Sequence, residues 1–195
     1  MTLYTEPLTS QQFLLWLRDK LAHNVSRNEP NGFVNDLWEI NKQLSLVTDM
    51  PQPLRRTYTA PITKLPTNGV FVFGSNTEGR HGKGAAKTAD TYFGAQYGQA
   101  RGLQGSSYAI VTKDLTCNKH PSRSQQQITQ EIATLYQFAT AHPELDFYIA
   151  YNGNETSLFL CGWTTQELAN MFAHSAPPSN IIFEHAFNTL VIQAL

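Results

Sequence analysis

GVFVFGSNTEGRHGKGAA, residues 69–86, is the stretch on which the reading of this chain turns. Its first part, Val70-Phe71-Val72-Phe73, is a continuous β-branched and aromatic run, the pattern of a strand buried on both faces. Gly74, Gly79, Gly82 and Gly84 then fall within eleven residues, with Ser75, Asn76, Arg80, His81 and Lys83 between them. Ala85, Ala86 and Ala89 follow and predict a helix. Strand, glycine-rich loop and helix is the arrangement in which bare backbone N–H groups meet a phosphate at a helix N-terminus. Glycines would also make a tight connection, but the interleaved cationic and amide side chains exceed what a turn requires. The segment therefore predicts a ligand site drawn from Gly74, Ser75, Asn76, Gly79, Arg80, Gly82, Lys83, Gly84 and Ala85.

Two named phosphate motifs fail on this segment. A Walker loop needs a glycine five positions before the Gly82-Lys83 pair and finds Thr77, and Gly84 follows where Ser or Thr is required. A dinucleotide fingerprint begun at Gly82 needs a third small residue at position 87 and meets Lys87. What remains is a general phosphate-cradle signal.

Working outward, the 195 residues suffice for one sizeable core and a small appendage, and 41% hydrophobic with 15% charged is the balance of a globular chain. No apolar run approaches the roughly 20 residues needed to span a bilayer. The N-terminal residues, MTLYTEPLTS, lack the basic-then-apolar order of a signal peptide. Cys117 and Cys161 form no metal-ligand spacing and are too few for a disulfide framework. A cytoplasmic protein without metal or cofactor is the expectation.

The net charge of −1 conceals an asymmetry. Residues 79–123 carry seven Lys or Arg against Asp90 and Asp114, a balance of +5, whereas residues 124–195 carry six acids and no Lys or Arg. A cationic segment in an otherwise acidic chain suggests a localised anion site, and it argues against nucleic-acid binding along the whole chain.

Residues 1–50 read as a helical hairpin. Phe13, Leu14, Leu17 and Leu21 share one helical face, and Phe33, Leu37, Ile40, Leu44 and Val47 another, with a turn at Asn28-Glu29-Pro30-Asn31-Gly32 between them. Trp16 and Trp38 could mark a partner surface or pack inward. Pro51, Pro53, Pro61 and Pro66 punctuate residues 51–66, which read as a connection, with residues 61–65 as a candidate edge strand.

From residue 67 to 195 strands alternate with helices. Helix is predicted over residues 83–93, strand over 107–111, and a long helix after Ser124 whose face is Ile128, Ile132, Leu135, Tyr136 and Ala139. Strand over 145–150, helix over 164–173 and strand over 180–183 complete the pattern. Such alternation implies a three-layer α/β core with a mixed, largely parallel sheet, whose ligands bind at the carboxyl ends of the strands.

Residues 69–76, residues 79–86, Tyr97-Gly98-Gln99, Gly102 through Gly105, and Ser107 through Ile110 to Thr112-Lys113-Asp114 together resemble a family of small bacterial and phage proteins with a macrodomain-like fold. The likeness is dense over residues 69–114, thinner over 139–183, and absent from residues 1–65. It implies a crevice for ADP-ribose above the sheet, with Asn76 facing the distal ribose and Gly82 through Ala85 around the diphosphate. The segment after Ala150 stands in the place of a second diphosphate loop, which makes Asn152, Gly153 and Gly162 candidates. That segment departs from the family pattern by bulky residues and Glu155. No Asp or Glu stands between residues 55 and 77, where many macrodomains place the acid that holds adenine. Adenine would then meet a backbone carbonyl or Asp90, with Tyr92, Phe93, Tyr151, Phe159 and Trp163 as stacking candidates.

Three functions follow as expectations. The first is binding of ADP-ribose or a related NAD-derived nucleotide, which would sequester a signalling nucleotide. The second is an ADP-ribosyl hydrolase acting on a macromolecule, with Asn76 and His81 as its catalytic candidates. The third is an interaction protein with a vestigial pocket, acting on a protein partner through the N-terminal hairpin. No nucleophile–base pair stands in the motif, which ranks binding first.

Overall fold

A computed structural model describes residues 12, 13, 15–17, 56–151 and 161–195. The chain divides into two compact units, Met1–Leu54 and Arg55–Leu195. In the first, the described residues are helical, and Phe13 and Trp16 are buried with stacked rings 5.9 Å apart. The rest of the expected hairpin, including Trp38, lies outside the described residues.

The second unit is a mixed six-stranded sheet flanked by helices. In chain order it contains β1 (Thr57–Tyr58), β2 (Gly69–Asn76), α1 (Gly84–Tyr92), β3 (Gly102–Gln104), β4 (Ser107–Lys113), α2 (Gln125–Ala141), β5 (Asp146–Ile149), α3 (Thr165–Ala173), β6 (Ile181–Glu184) and α4 (His185–Ala194). The spatial order is β1-β6-β5-β2-β4-β3. Every neighbouring pair is parallel except β3 with β4.

β2 lies between β5 and β4, and its alternate side chains feed two cores. Val70 and Val72 join Ile128, Ile132 and Leu135 of α2, Leu168 and Phe172 of α3, and Phe187 of α4. Phe71 and Phe73 join Ala86, Ala89 and Phe93 at α1. Burial on both faces is the physical reason this strand reads as an unbroken apolar run.

Local signals set several boundaries. Ser124 caps α2 by accepting from the Gln127 N–H while the Gln127 side chain accepts from the Ser124 N–H, and Thr164 with Glu167 repeats this box on α3. The buried face of α2 is the expected one, Ile128, Ile132, Leu135, Tyr136 and Ala139. At its far end Asn180 Nδ2 donates to the carbonyls of Ala139, His142 and Leu145, joining the helix end to the turn that leads into β5.

Three features depart from expectation. Residues 61–65 form no strand; the edge strand is Thr57–Tyr58, inside the stretch read as a connection, and it pairs with β6. Its anchors are remote in sequence. Arg56 grips Asp146 with two hydrogen bonds of 2.7 and 2.6 Å, and the Tyr58 hydroxyl donates to the Ile149 carbonyl at 2.6 Å. The hydrogen bond to Asp146 raises the Arg56 pKa further, and burial pushes that of Tyr58 up. The compact unit consequently begins at Arg55 rather than at residue 67.

The second departure is β3, antiparallel to β4, in a segment where the pattern predicts no strand. Here Gly94 and Gly105 pass so closely that a Cβ on Gly105 would stand 2.9 Å from the Gly94 Cα. The third is α4, which the pattern reading omits. Phe187, Leu190 and Val191 carry the helical spacing that could have revealed it, and Glu184 caps it by accepting from the N–H groups of Ala186 and Phe187.

Candidate functional site

A cleft of about 840 Å³ opens at the carboxyl ends of β2, β4 and β5, where parallel sheets characteristically bind ligands. One wall is Gly74 at the end of β2 and Lys83, Gly84, Ala85, Ala86 and Thr88 at the start of α1. Also in the lining are Tyr58 of β1 and Pro61 and Ile62 from the segment after it, Ile149, Ala150 and Tyr151 at the end of β5, and Cys161. Ile110, Thr112, Leu168 and Phe172 are also in the lining, and Phe71, Val72, Phe73 and Ile128 add to its apolar floor.

α1 begins without a side-chain cap and without an acid in its first turn. Lys83 is its N-cap residue, in extended conformation, and Gly84 follows at φ 57, in the left-handed region that glycine enters without strain. The first N–H groups of such a helix have no intrahelical partner, and the helix dipole concentrates positive charge there. Lys83 adds a full positive charge at the same rim. It is the one charged side chain in the lining among the described residues.

Four of the expected ligand residues therefore share the cleft: Gly74, Lys83, Gly84 and Ala85. Ser75, Asn76, Gly79, Arg80, His81 and Gly82 do not line it, and most have structural occupations. Asn76 Oδ1 accepts from the backbone N–H groups of Glu78 and Arg80, at 3.2 and 3.0 Å. Its Nδ2 donates to the Arg80 carbonyl at 2.7 Å. The amide expected to face a ribose thus braces its own loop, an Asx-type closure.

Gly79, at φ 65, meets the backbone of Gly98 so closely that a Cβ would stand 2.5 Å from the Gly98 carbonyl carbon, and the Gly98 N–H donates to the Gly79 carbonyl at 2.9 Å. Arg80 is exposed and pairs with Glu78 at 2.7 Å. Gly82 is exposed, with open space where a Cβ would stand.

His81 is buried, edge-on to Phe73 with ring centroids 5.0 Å apart and Nε2 3.3 Å from Ser75 Oγ. Burial lowers its pKa, opposed by the charge of Asp90. Ser75, buried as well, turns its hydroxyl to this ring.

The second loop is reached only at its margins, since Asn152, Gly153 and Phe159 lie outside the described residues. Gly162, at φ 89, fits closely against the backbone of His120 and Pro121, where a Cβ would come within 2.8 Å of the Pro121 nitrogen. Its neighbour Cys161 lines the cleft, and burial raises its thiol pKa, so the thiol is held protonated rather than activated.

Among the stacking candidates, Tyr151 lines the cleft and packs on Phe187 with centroids 5.3 Å apart. Phe93 is in the core, Tyr92 is exposed away from the lining, and Trp163 donates its indole N–H to the Arg123 carbonyl. Asp90 is exposed and is not a cleft residue.

The cationic segment does not converge on the cleft. Arg101 and Arg123 both pair with Glu131 of α2, at 2.7 and 3.3 Å, tying the sheet edge and the loop before α2 to that helix. A long-range acid thus absorbs part of the excess positive charge.

A shallower groove of about 520 Å³ runs along α2 beside Ser175, Ala176 and Pro178 and carries no charged side chain. No group of three or more metal-ligating side chains exists among the described residues, and no helix there is long and apolar enough to cross a membrane.

Tyr58, Ile62, Ile110, Thr112, Leu168 and Phe172 are cleft residues that sequence reasoning missed. Nothing in their local pattern separates them from ordinary core positions. Searches for a matching family model, curated protein or solved structure found none.

Proposed function

We propose that the cleft binds ADP-ribose or a related NAD-derived nucleotide and acts by sequestering it. The observation that carries this reading is the uncapped, acid-free start of α1, with Lys83 and Gly84, opening into an apolar cleft of about 840 Å³ at the strand ends. The helix start and Lys83 suit a diphosphate, and the apolar floor suits a base and the carbon face of a ribose. The volume falls within the roughly 300–1,000 Å³ of small-molecule sites. The resemblance of residues 69–114 to macrodomain-like proteins points to the same ligand class, and a mixed sheet with helices on both faces accords with it.

Binding is preferred to hydrolysis because the two catalytic candidates are occupied elsewhere. The amide of Asn76 is spent on its loop, and His81 is buried beneath that loop against Phe73 and Ser75. Among the described residues the cleft lining contains no carboxylate.

Calorimetric titration with ADP-ribose, NAD, AMP and cyclic ADP-ribose isomers tests the proposal, with each mixture checked for turnover. The expected result is micromolar affinity, about −8 kcal/mol, for one of the four and at least a tenfold loss in Lys83→Glu. Lys83 is exposed at a helix start, so the substitution spares the core. Absence of heat with all four ligands overturns the reading, and product formation replaces sequestration with hydrolysis.

A further inference from the structure

We propose that His81 is an acid-sensitive latch: its neutral ring, buried beneath residues 77–83, holds this loop shut, and its protonation releases the loop that leads into the Lys83–Gly84 rim of the cleft. His81 is 3% exposed although every residue from 82 to 84 is exposed, so its side chain, with the backbone of Gly79, anchors the segment inward. Two contacts hold it, the edge-on approach to Phe73 and the 3.3 Å link between Nε2 and Ser75 Oγ. Its Nδ1 is buried with no hydrogen-bond partner among the described residues.

A charged imidazole needs two acceptors, because both ring nitrogens then donate. This pocket offers one hydroxyl and one aromatic ring.

The charged groups around the ring are few. β2 contributes Phe73 and Ser75, neither of which titrates near neutrality. α1 contributes Asp90, whose charge partly favours the imidazolium. The loop itself carries the mutually paired Glu78 and Arg80, and Lys83 at its end.

Released to solvent, the ring charges with a pKa of about 6.5. Burial lowers the pKa of the closed form below that. The open loop therefore binds more protons below about pH 6.5, and the closed loop loses stability as the pH falls through that value. If the closed form took up no proton at all, the opening equilibrium at pH 5.0 would exceed that at pH 7.5 by about 30-fold, which is the upper bound.

The loop has protected amides that report this opening. Gly79 N–H donates to the Asn76 carbonyl, Arg80 N–H to Asn76 Oδ1, and Gly98 N–H to the Gly79 carbonyl. Hydrogen exchange of the full chain, corrected for the intrinsic effect of pH, should show protection factors at Gly79, Arg80 and Gly98 lower by about 3- to 30-fold at pH 5.0 than at pH 7.5. Amides of the β5–β6 ladder should keep theirs. His81→Phe fills the same space without titrating, and its three loop amides should be indifferent to pH.

Equal protection at the two pH values in the natural chain overturns the proposal, as does an unchanged pH response in His81→Phe. Should that variant fail to fold, proton NMR of the natural chain decides. A His81 ring titrating at or above pH 6.5 overturns the latch, and a lower midpoint sustains it.

Discussion

The two sides of the cleft are built by different means. The α1 side is made within sixteen residues: β2 ends, Asn76 closes an Asx-type turn on Glu78 and Arg80, His81 anchors the loop inward, and the helix starts at Gly84. The other side is assembled from Tyr58, Ile149 and Tyr151, and Leu168 and Phe172, which come from segments about a hundred residues apart. The first side is polar, short-range and glycine-dependent; the second is apolar and long-range. Chemical side chains thus advertise one wall, and packing alone makes the other.

This contrast predicts where the molecule breaks. On the apolar side Phe172 is 5% exposed and packs edge-on against Phe183 and Phe187, at 5.5 and 5.8 Å. Phe172→Ala should cost about 4 kcal/mol of unfolding free energy in urea denaturation, through lost burial and the cavity left behind. A loss below about 1 kcal/mol would mean that this wall collapses inward and is not rigid.

On the loop side the largest effect belongs to Gly79. An alanine there adopts a left-handed conformation at a cost of about 1–2 kcal/mol, and its Cβ is forced against the Gly98 backbone. Gly79→Ala should lose about 3 kcal/mol in the same measurement, or shift the 97–99 segment, visible as changed amide resonances there.

Gly82, three residues on, marks the opposite limit. It has no positive φ and open space where a Cβ would go, so Gly82→Ala should change stability by less than about 0.5 kcal/mol. A large effect at Gly82 would erase the distinction drawn between a glycine required by close approach and one that merely lies in a glycine-rich run.

The comparison also shows what a sequence signal means at this loop. Glycines and polar residues clustered after a strand do stand beside the cleft, yet of the nine ligand residues expected from the segment only Gly74, Lys83, Gly84 and Ala85 line it. Asn76, Gly79 and His81 make the loop hold its shape. Type and spacing reveal that a special backbone is needed. They do not say which groups face outward, because a difference of one or two residues in the turn exchanges the inward and outward positions.

Much of the fold was legible in the chain. The buried face of α2, the cap Ser124, and the unbroken apolar run of β2 are local properties, dictated by helical period, by hydrogen bonding within four residues and by two-sided burial. So were the alternation of strand and helix, and the placing of a glycine-rich turn at a carboxyl strand end. What only the tertiary structure decided is pairing at a distance. Arg56 meets Asp146, Tyr58 meets Ile149, and Arg101 and Arg123 share Glu131, which turns a stretch read as a connection into an edge strand and draws cations away from the cleft. The energy of such contacts depends on which surfaces the folded sheet brings together, and no residue carries that information in its neighbours.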